Sequence, residues 1–141
     1  MCVALKVLFL CVGNACRSPM AEAIARRDAA DVMEATSAGL APMGAVMLQT
    51  RNTLKSNGYS IEGLSSKGIS KELWASAELV INMSGRTREV LFADWEKVED
   101  WKVEDPYGAD QAVYQRIFEE IEGRVSGLAK RLRARAGAGG E

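Results

Sequence analysis

Histidine is absent from the 141 residues of this chain, and cysteine and proline occur only three times each. Without histidine, acid–base catalysis by an imidazole is excluded, and the most common protein ligand of zinc is missing. The odd number of cysteines, with Cys11 and Cys16 in one short stretch, does not fit a disulfide framework. Reduced thiols are typical of the cytoplasm, so we expect a cytoplasmic location and reactive rather than structural cysteines.

The sequence also lacks long hydrophobic runs and any strong imbalance of charge. No stretch is long enough to cross a membrane, and Lys6 interrupts the apolar residues 3–10, as in a strand rather than a signal peptide. The formal net charge is −1, with 18 basic and 19 acidic residues, which indicates no basic surface for nucleic acid. We therefore expect neither a membrane nor a nucleic-acid partner, and the pattern leaves the oligomeric state open.

Apolar residues make up 48% of the chain, which is enough for one domain with a substantial core. Patterns of buried strands alternate with helical patterns along the chain. Strands are predicted at 5–10, 33–38, 79–83 and 98–103, and helices at 18–30, 44–57, 70–76, 85–93 and 110–134. This alternation predicts an α/β fold, a single doubly wound domain with helices on both faces of a parallel sheet. We place the domain at residues 1–135 and a flexible, glycine-rich tail at 136–141.

The most informative stretch is the loop at residues 11–19, between the first predicted strand and the first predicted helix. A loop in this position aims backbone N–H groups and a helix N-terminus at one point, where an anion can bind. Cys11 begins the loop and Arg17 ends it, so a thiol and a guanidinium would face the same anion. The bare Cys-x5-Arg spacing is a weak signal, but its position between a strand and a helix strengthens it.

This loop and the Met20-Ala21-Glu22-Ala23 after it resemble the low-molecular-weight protein tyrosine phosphatases, whose fold is shared by arsenate reductases and bacterial protein-arginine phosphatases. The resemblance continues through Ser37-Ala38-Gly39 and the strand around 79–83 to residues 101–107. It covers nearly the whole chain in the right order. The resemblance implies a four-stranded parallel sheet with a phosphate-binding loop after the first strand.

Displacement at phosphorus needs a nucleophile, stabilisation of charge on the phosphate oxygens and a proton for the leaving group. Cys11 fits the first role and would form a phosphocysteine, while the planar fork of Arg17 would bind phosphate oxygens. Asp105, before a proline at the end of the last predicted strand, is the candidate general acid and, in the second step, the base. The predicted phosphate-binding loop consists of Val12, Gly13, Asn14, Ala15, Cys16, Arg17 and Ser18.

The resemblance implies supporting roles for three further polar residues. Ser18 resembles the hydroxyl that bonds the cysteine sulfur. Asn14 resembles the asparagine that holds an unusual backbone conformation in the loop, and Ser37 resembles its hydrogen-bonding support. This chemistry needs no metal and no organic cofactor. The expected ligands are a phosphorylated protein or peptide, inorganic phosphate and other oxyanions.

Two further assignments concern the walls of the cleft and its second thiol. Tyr107 resembles the aromatic residue that walls the substrate cleft, and we assign Leu40 to the same wall. Cys16 is the candidate redox partner, because a second thiol in a tight loop could trap oxidised Cys11 as a disulfide.

Four functions remain open on the sequence. A phosphotyrosine-type phosphatase ranks first. A protein-arginine phosphatase ranks second, because members of that class carry threonine where this chain has Ala15. An arsenate reductase of the thioredoxin-coupled kind needs downstream cysteines; none follows Cys16, and Ser84 stands about where one is expected. A reductase that uses an external thiol, or an inactive anion-binding module, completes the alternatives.

Overall fold

The strands of the computed structural model, which describes residues 4–139, form one parallel sheet. They are β1 (Leu5–Cys11), β2 (Met33–Gly39), β3 (Leu79–Asn82) and β4 (Val98–Asp100). Their order in the sheet is β2-β1-β3-β4, and each neighbouring pair is parallel. The predicted four-stranded, doubly wound α/β fold is confirmed. Because β1 and β3 lie in the middle of the sheet, the loop after β1 emerges at the centre of its carboxyl edge.

Helices cover both faces of this sheet. They are α1 (Arg17–Asp28), α2 (Leu48–Ser56), α3 (Lys71–Ser76), α4 (Arg88–Leu91) and α5 (Gln111–Gly139). Alternate residues of β1 point to opposite faces, as the pleat of a strand requires. Val7 and Phe9 join the larger hydrophobic cluster, which includes α1 and α5, while Leu8 and Leu10 join a smaller cluster on the α3 side. Within residues 4–139, no helix combines the length and apolar character needed to span a membrane.

The apolar stripe of α5 packs on the larger cluster. Tyr114, Ile117, Phe118, Ile121, Val125 and Leu128 from this helix are buried. The helix ends later than the sequence pattern indicates, because residues 136–139 continue it instead of forming a separate tail. Residues 140–141 of the predicted tail lie outside the described residues.

Two other elements are shorter than expected because backbone groups near the loop after β1 have tertiary partners. The predicted helix at 44–57 begins only at Leu48, since the N–H groups of Met43 and Met47 bond to carbonyls of that loop. The predicted strand at 98–103 ends at Asp100, and the carbonyl of Val103 accepts a hydrogen bond from the Arg17 side chain. Local periodicity carries no information about such long-range partners.

A further element, the predicted helix at 85–93, contains only the short α4. The turn before it is held by side chains, with the amide of Asn82 donating to the carbonyl of Arg86 and accepting from the N–H of Ser84. Side-chain bonds of this kind compete with helical backbone bonds and delay the start of the helix.

Gly39 brings the end of β2 into close contact with the loop after β1. A Cβ at Gly39 would stand 2.7 Å from the carbonyl oxygen of Val12 and 2.8 Å from the backbone nitrogen of Asn14. Backbone atoms cannot rotate away as the end of a long side chain can. Any larger residue at this position would therefore push the loop out of place.

We expect Gly39→Ala to lower the free energy of unfolding by about 1–3 kcal/mol, the usual cost of overpacking. Gly127→Ala is the matched control, because Gly127 lies in the middle of α5 with nothing within 4 Å of the added Cβ. Relieving a helical glycine should raise stability by about 0.5–1 kcal/mol. Urea unfolding of the two variants measures both effects, and equal stabilities would contradict the close approach at Gly39.

Candidate active site

The carbonyl groups of the loop after β1 are held by the chain segment that follows β2. The N–H groups of Leu40, Ala41, Met43 and Met47 donate to the carbonyls of residues 11, 12, 13 and 15, at distances of 2.8 to 3.1 Å. An N–H and the carbonyl of the same peptide unit point in opposite directions, so the N–H groups of the loop turn toward its centre. Within residues 4–139, we find no protein acceptor for the N–H groups of residues 12–17. They form a cradle suited to an anion.

Asn14 holds the cradle in shape. Its φ is +49°, and it is the only non-glycine residue with a positive φ within the described part of the chain. This left-handed conformation costs about 1–2 kcal/mol in a residue with a Cβ. The fully buried side chain offsets that cost, because its Nδ2 donates to Ser18 Oγ at 2.8 Å and to Ser37 Oγ at 3.0 Å. Its Oδ1 accepts from the backbone N–H of Lys67 at 2.8 Å.

Ser18 lies 3.0 Å from the sulfur of Cys11, and the neighbouring bonds decide which of the two donates. The bond from Lys67 fixes the orientation of the Asn14 amide, so both amide hydrogens point at serine oxygens. Ser18 Oγ therefore accepts from Asn14, and its own hydrogen is free for the sulfur. A hydrogen bond given to sulfur stabilises its negative form, both as an attacking thiolate and as a leaving group.

Arg17 is 4% exposed and lies under the cleft. Its Nη1 donates to the carbonyls of Met83 at 2.5 Å and Val103 at 3.1 Å, beyond the ends of β3 and β4. Its Nη2 is 3.5 Å from a carboxylate oxygen of Asp105. Its Nε is buried and has no partner among the described residues. An unpaired buried donor costs about 1–3 kcal/mol, which an oxyanion bound in the cleft would relieve.

Asp105 and Tyr107 line the cleft from the loop that follows β4. The Asp105 side chain is 51% exposed, and its Oδ1 accepts from the N–H of Tyr107 at 3.1 Å, which forms a tight turn. The carboxylate thus combines access to solvent with contact to Arg17. A proton donor at the mouth of an anion site is well placed to serve a leaving group.

The cleft has a volume of about 180 Å³. It is lined by Cys11, Val12, Gly13, Ala15, Cys16, Arg17, Ala41, Met43, Asp105 and Tyr107. The structure thus brings the predicted nucleophile, arginine, acid and aromatic residue together. Leu40, which we assigned to the wall, is half-buried and does not line the cleft; Ala41 and Met43 do. The N–H of Leu40 donates to the carbonyl of Cys11, so the wall of the cleft begins at Ala41.

Cys16 lines the same cleft in a different environment from Cys11. Its sulfur is 3.4 Å from the hydroxyl of Tyr114 in α5, and the residue is 4% exposed. Burial raises the pKa of the Cys16 thiol, and hydrogen bonds with Tyr114 and Thr50 offset part of that rise. Burial likewise raises the pKa of Tyr114. The two thiols of the loop therefore differ in their surroundings, since Cys16 packs against Tyr114 whereas Cys11 lies beside Ser18.

Sequence reasoning missed several residues that support the site. Ser66 donates its hydroxyl hydrogen to the carbonyl of Gly13, and Thr50 donates to that of Ala15. Glu22, buried in α1, accepts from Ser37. Only Glu22 carries a sequence signal, because a charged residue stands within an otherwise alanine-rich helical run. Within residues 4–139, no group of three or more acidic or cysteine side chains could hold a metal ion.

Comparisons with known proteins agree with this arrangement. The family model described as low molecular weight phosphotyrosine protein phosphatase matches residues 6–137. An arsenate reductase from Bacillus cereus is 31% identical over 126 residues, which cover 88% of this chain and 93% of that protein. The structure of the YwlE arginine phosphatase from Geobacillus stearothermophilus superposes with a TM-score of 0.87 at 26% identity, covering 96% of this chain and 97% of that one. A low molecular weight protein tyrosine phosphatase from T. tengcongensis gives a TM-score of 0.81 at 31% identity, with 92% and 100% covered.

Proposed function

Since the chain belongs to the low molecular weight phosphotyrosine protein phosphatase family, we propose that it hydrolyses phosphotyrosine-type monoesters in proteins or peptides through a phosphocysteine on Cys11. The observation that carries this proposal is the single cleft shared by a thiol that accepts a hydrogen bond, a buried arginine with an unpaired Nε, and a solvent-accessible carboxylate. Binding of an anion alone would need neither the thiol nor the carboxylate.

In the first step, the Cys11 sulfur attacks phosphorus while the bond to the leaving oxygen breaks. The loop N–H groups and Arg17 stabilise the charge on the phosphate oxygens, which is the main task of a catalyst for this reaction. Asp105, in its protonated form, gives its proton to the leaving oxygen. Its place at the cleft mouth, with half of its side chain exposed, supports this role.

In the second step, the Asp105 carboxylate takes a proton from a water molecule, whose oxygen attacks the phosphorus of phosphocysteine. The sulfur–phosphorus bond breaks, inorganic phosphate is released and Cys11 returns to the thiolate. The hydrogen bond from Ser18 stabilises the departing sulfur, because Ser18 has no other acceptor for its hydrogen among its contacts. Asn14 and Ser37 keep Ser18 in this orientation.

Two related activities are the alternatives. A protein-arginine phosphatase is favoured by the likeness to the Geobacillus structure. It is disfavoured by Ala15, which lines the cleft at the position where members of that class carry threonine. An arsenate reductase would need a further thiol, which the chain lacks after Cys16. At the expected position, Ser84 accepts a bond from the N–H of Arg86 with its hydroxyl oxygen. Arsenate reduction would therefore depend on an external thiol.

We expect hydrolysis of p-nitrophenyl phosphate and of a phosphotyrosine peptide by the wild type, and no turnover by Cys11→Ser. Asp105→Asn should lower kcat by about 10²–10⁴-fold, the usual contribution of general acid–base catalysis. Asp94→Asn removes the same charge from a residue bonded to Trp74, outside the cleft, and should leave activity unchanged. Parallel assays with a phosphoarginine peptide, and with arsenate plus glutathione, decide between the alternative activities. Hydrolysis of either phosphate ester by Cys11→Ser would contradict the proposed mechanism.

Cys16 is proposed as a redox partner of Cys11. Peroxide oxidises the Cys11 thiolate to a sulfenic acid; Cys16 then attacks that sulfur, a disulfide forms and water leaves. An external dithiol restores both thiols. The fact that both cysteines line one cleft supports this role.

Cys16→Ser should remain active but lose recovery by dithiothreitol after peroxide, because its Cys11 is oxidised beyond the sulfenic acid. Activity before peroxide, after peroxide and after dithiothreitol is the measurement. Equal recovery in wild type and Cys16→Ser would contradict the proposed pairing.

A further inference from the structure

Glu22 is a buried acidic residue that the proposed mechanism does not use. It is 1% exposed, lies on α1 and does not line the cleft. One carboxylate oxygen accepts from Ser37 Oγ at 2.5 Å, and the other forms an ion pair with Arg26, one helical turn later. A buried carboxylate is costly unless it is paired and hydrogen-bonded, and Ser37 and Arg26 supply both kinds of contact here.

The bond between Ser37 and Glu22 is the far end of a chain of hydrogen bonds that reaches the nucleophile. Ser37 Oγ accepts from Asn14 Nδ2, which also donates to Ser18 Oγ, 3.0 Å from the Cys11 sulfur. Ser37 has one hydrogen, and an amide NH₂ group has no lone pair to accept it. The Glu22 carboxylate is therefore the only acceptor for the Ser37 hydrogen within this chain of hydrogen bonds.

A protonated Glu22 would reverse this first bond. Its hydrogen would point at Ser37 Oγ, and the hydroxyl hydrogen of Ser37 would then have no acceptor in this chain of hydrogen bonds. Without that acceptor the Ser37 hydroxyl would lose its fixed orientation, and Asn14, which donates to both Ser37 and Ser18, would be held less firmly. The direction in which each group of this hydrogen-bond chain donates thus depends on the negative charge of Glu22.

Arg26 supplies the positive charge that pairs with the Glu22 carboxylate. Its side chain is 43% exposed, and its Nη1 also reaches the carbonyl of Glu62 at 3.4 Å. Arg26 is therefore in contact with solvent at one end of the chain, and the Cys11 sulfur is in the cleft at the other. A surface charge is connected to the nucleophile through buried hydrogen bonds alone.

We infer that Glu22 and Arg26 are positioning residues of the active site, which orient Asn14 and Ser18 so that Ser18 donates its hydrogen to the Cys11 sulfur. This inference rests on the proposed function only for its kinetic readout. The reactivity of the Cys11 thiolate toward a neutral alkylating reagent reports on the same hydrogen bond without any turnover of phosphate.

The experiment compares Glu22→Gln, Arg26→Met and Arg26→Lys with the wild type, and uses Arg51→Met as the control for loss of a surface arginine. Alkylation of Cys11 by iodoacetamide is followed at several pH values by mass spectrometry of its peptide, which separates it from Cys16. Glu22→Gln keeps the size and one acceptor oxygen but removes the charge. Arg26→Lys keeps the charge, so it is the conservative rescue.

We expect Glu22→Gln to slow Cys11 alkylation at mildly acidic pH by about tenfold, as a loss of one hydrogen bond to the charged form would. Arg26→Met should show a smaller effect in the same direction, and Arg26→Lys and Arg51→Met none. The variants that alkylate more slowly should also show a lower kcat for p-nitrophenyl phosphate. Their KM should change little, because Arg17 and the loop N–H groups still bind the anion.

Alkylation profiles of Glu22→Gln and Arg26→Met that match the wild type would overturn the inference, whatever happens to stability. A shifted profile in a protein that turns over no phosphate ester would support it and reject the proposed function alone. If Glu22→Gln does not fold, the Arg26 variants decide, because Arg26 is partly exposed. An equal decrease in the rate of Cys11 alkylation in Arg26→Met and Arg26→Lys would also contradict a role for the charge of Arg26.

Discussion

The site depends on the backbone hydrogen bonds that hold the carbonyls of the loop after β1. Those bonds come from the segment after β2, which lies close enough only because Gly39 has no side chain. With the carbonyls engaged, the N–H groups of the loop converge on one point at the carboxyl edge of the sheet. The cradle for an anion is thus a consequence of how β1 and β2 end, before any side chain is considered.

Side chains then distinguish the two cysteines of the loop. Cys11 lies beside the Ser18 hydroxyl, whose hydrogen is directed at the sulfur by the bonds around Asn14. Cys16 packs against Tyr114 from α5, and burial raises the pKa of its thiol. Two residues of the same type, in one loop, are thereby prepared for different chemistry. Arg17 lies beneath both, held by carbonyls from beyond β3 and β4.

The sequence predicts the strands and the long last helix well, because their signals are local. Runs such as Val7–Leu10 are apolar throughout, as strands buried on both faces must be, and α5 repeats apolar residues at helical spacing. The catalytic candidates were found for a similar reason, since Cys11 and Arg17 belong to one short motif and Asp105 follows a strand. The start of α2 and the length of α4 were predicted wrongly, because tertiary and side-chain bonds decide them.

Several residues that act across long separations in sequence, and that belong to no recognised motif, could not be predicted. The N–H of Lys67 orients Asn14 from a loop that shows no motif, and the wall residues after β2 are Ala41 and Met43 rather than Leu40. No sequence motif marks Tyr114, and only the fold shows that its hydroxyl reaches Cys16. Sequence patterns identify which residues can do chemistry, whereas the fold decides which of them meet.

The covalent step is open to direct observation with Asp105→Asn and p-nitrophenyl phosphate. Nitrophenolate leaves without a proton, so this variant should complete the first step and then stall, because no carboxylate activates water. Mass spectrometry of the rapidly quenched protein should find one phosphoryl group on the peptide that contains Cys11. Release of nitrophenol with no phosphoryl group on Cys11, or with one on another residue, would contradict a nucleophilic role for this thiol.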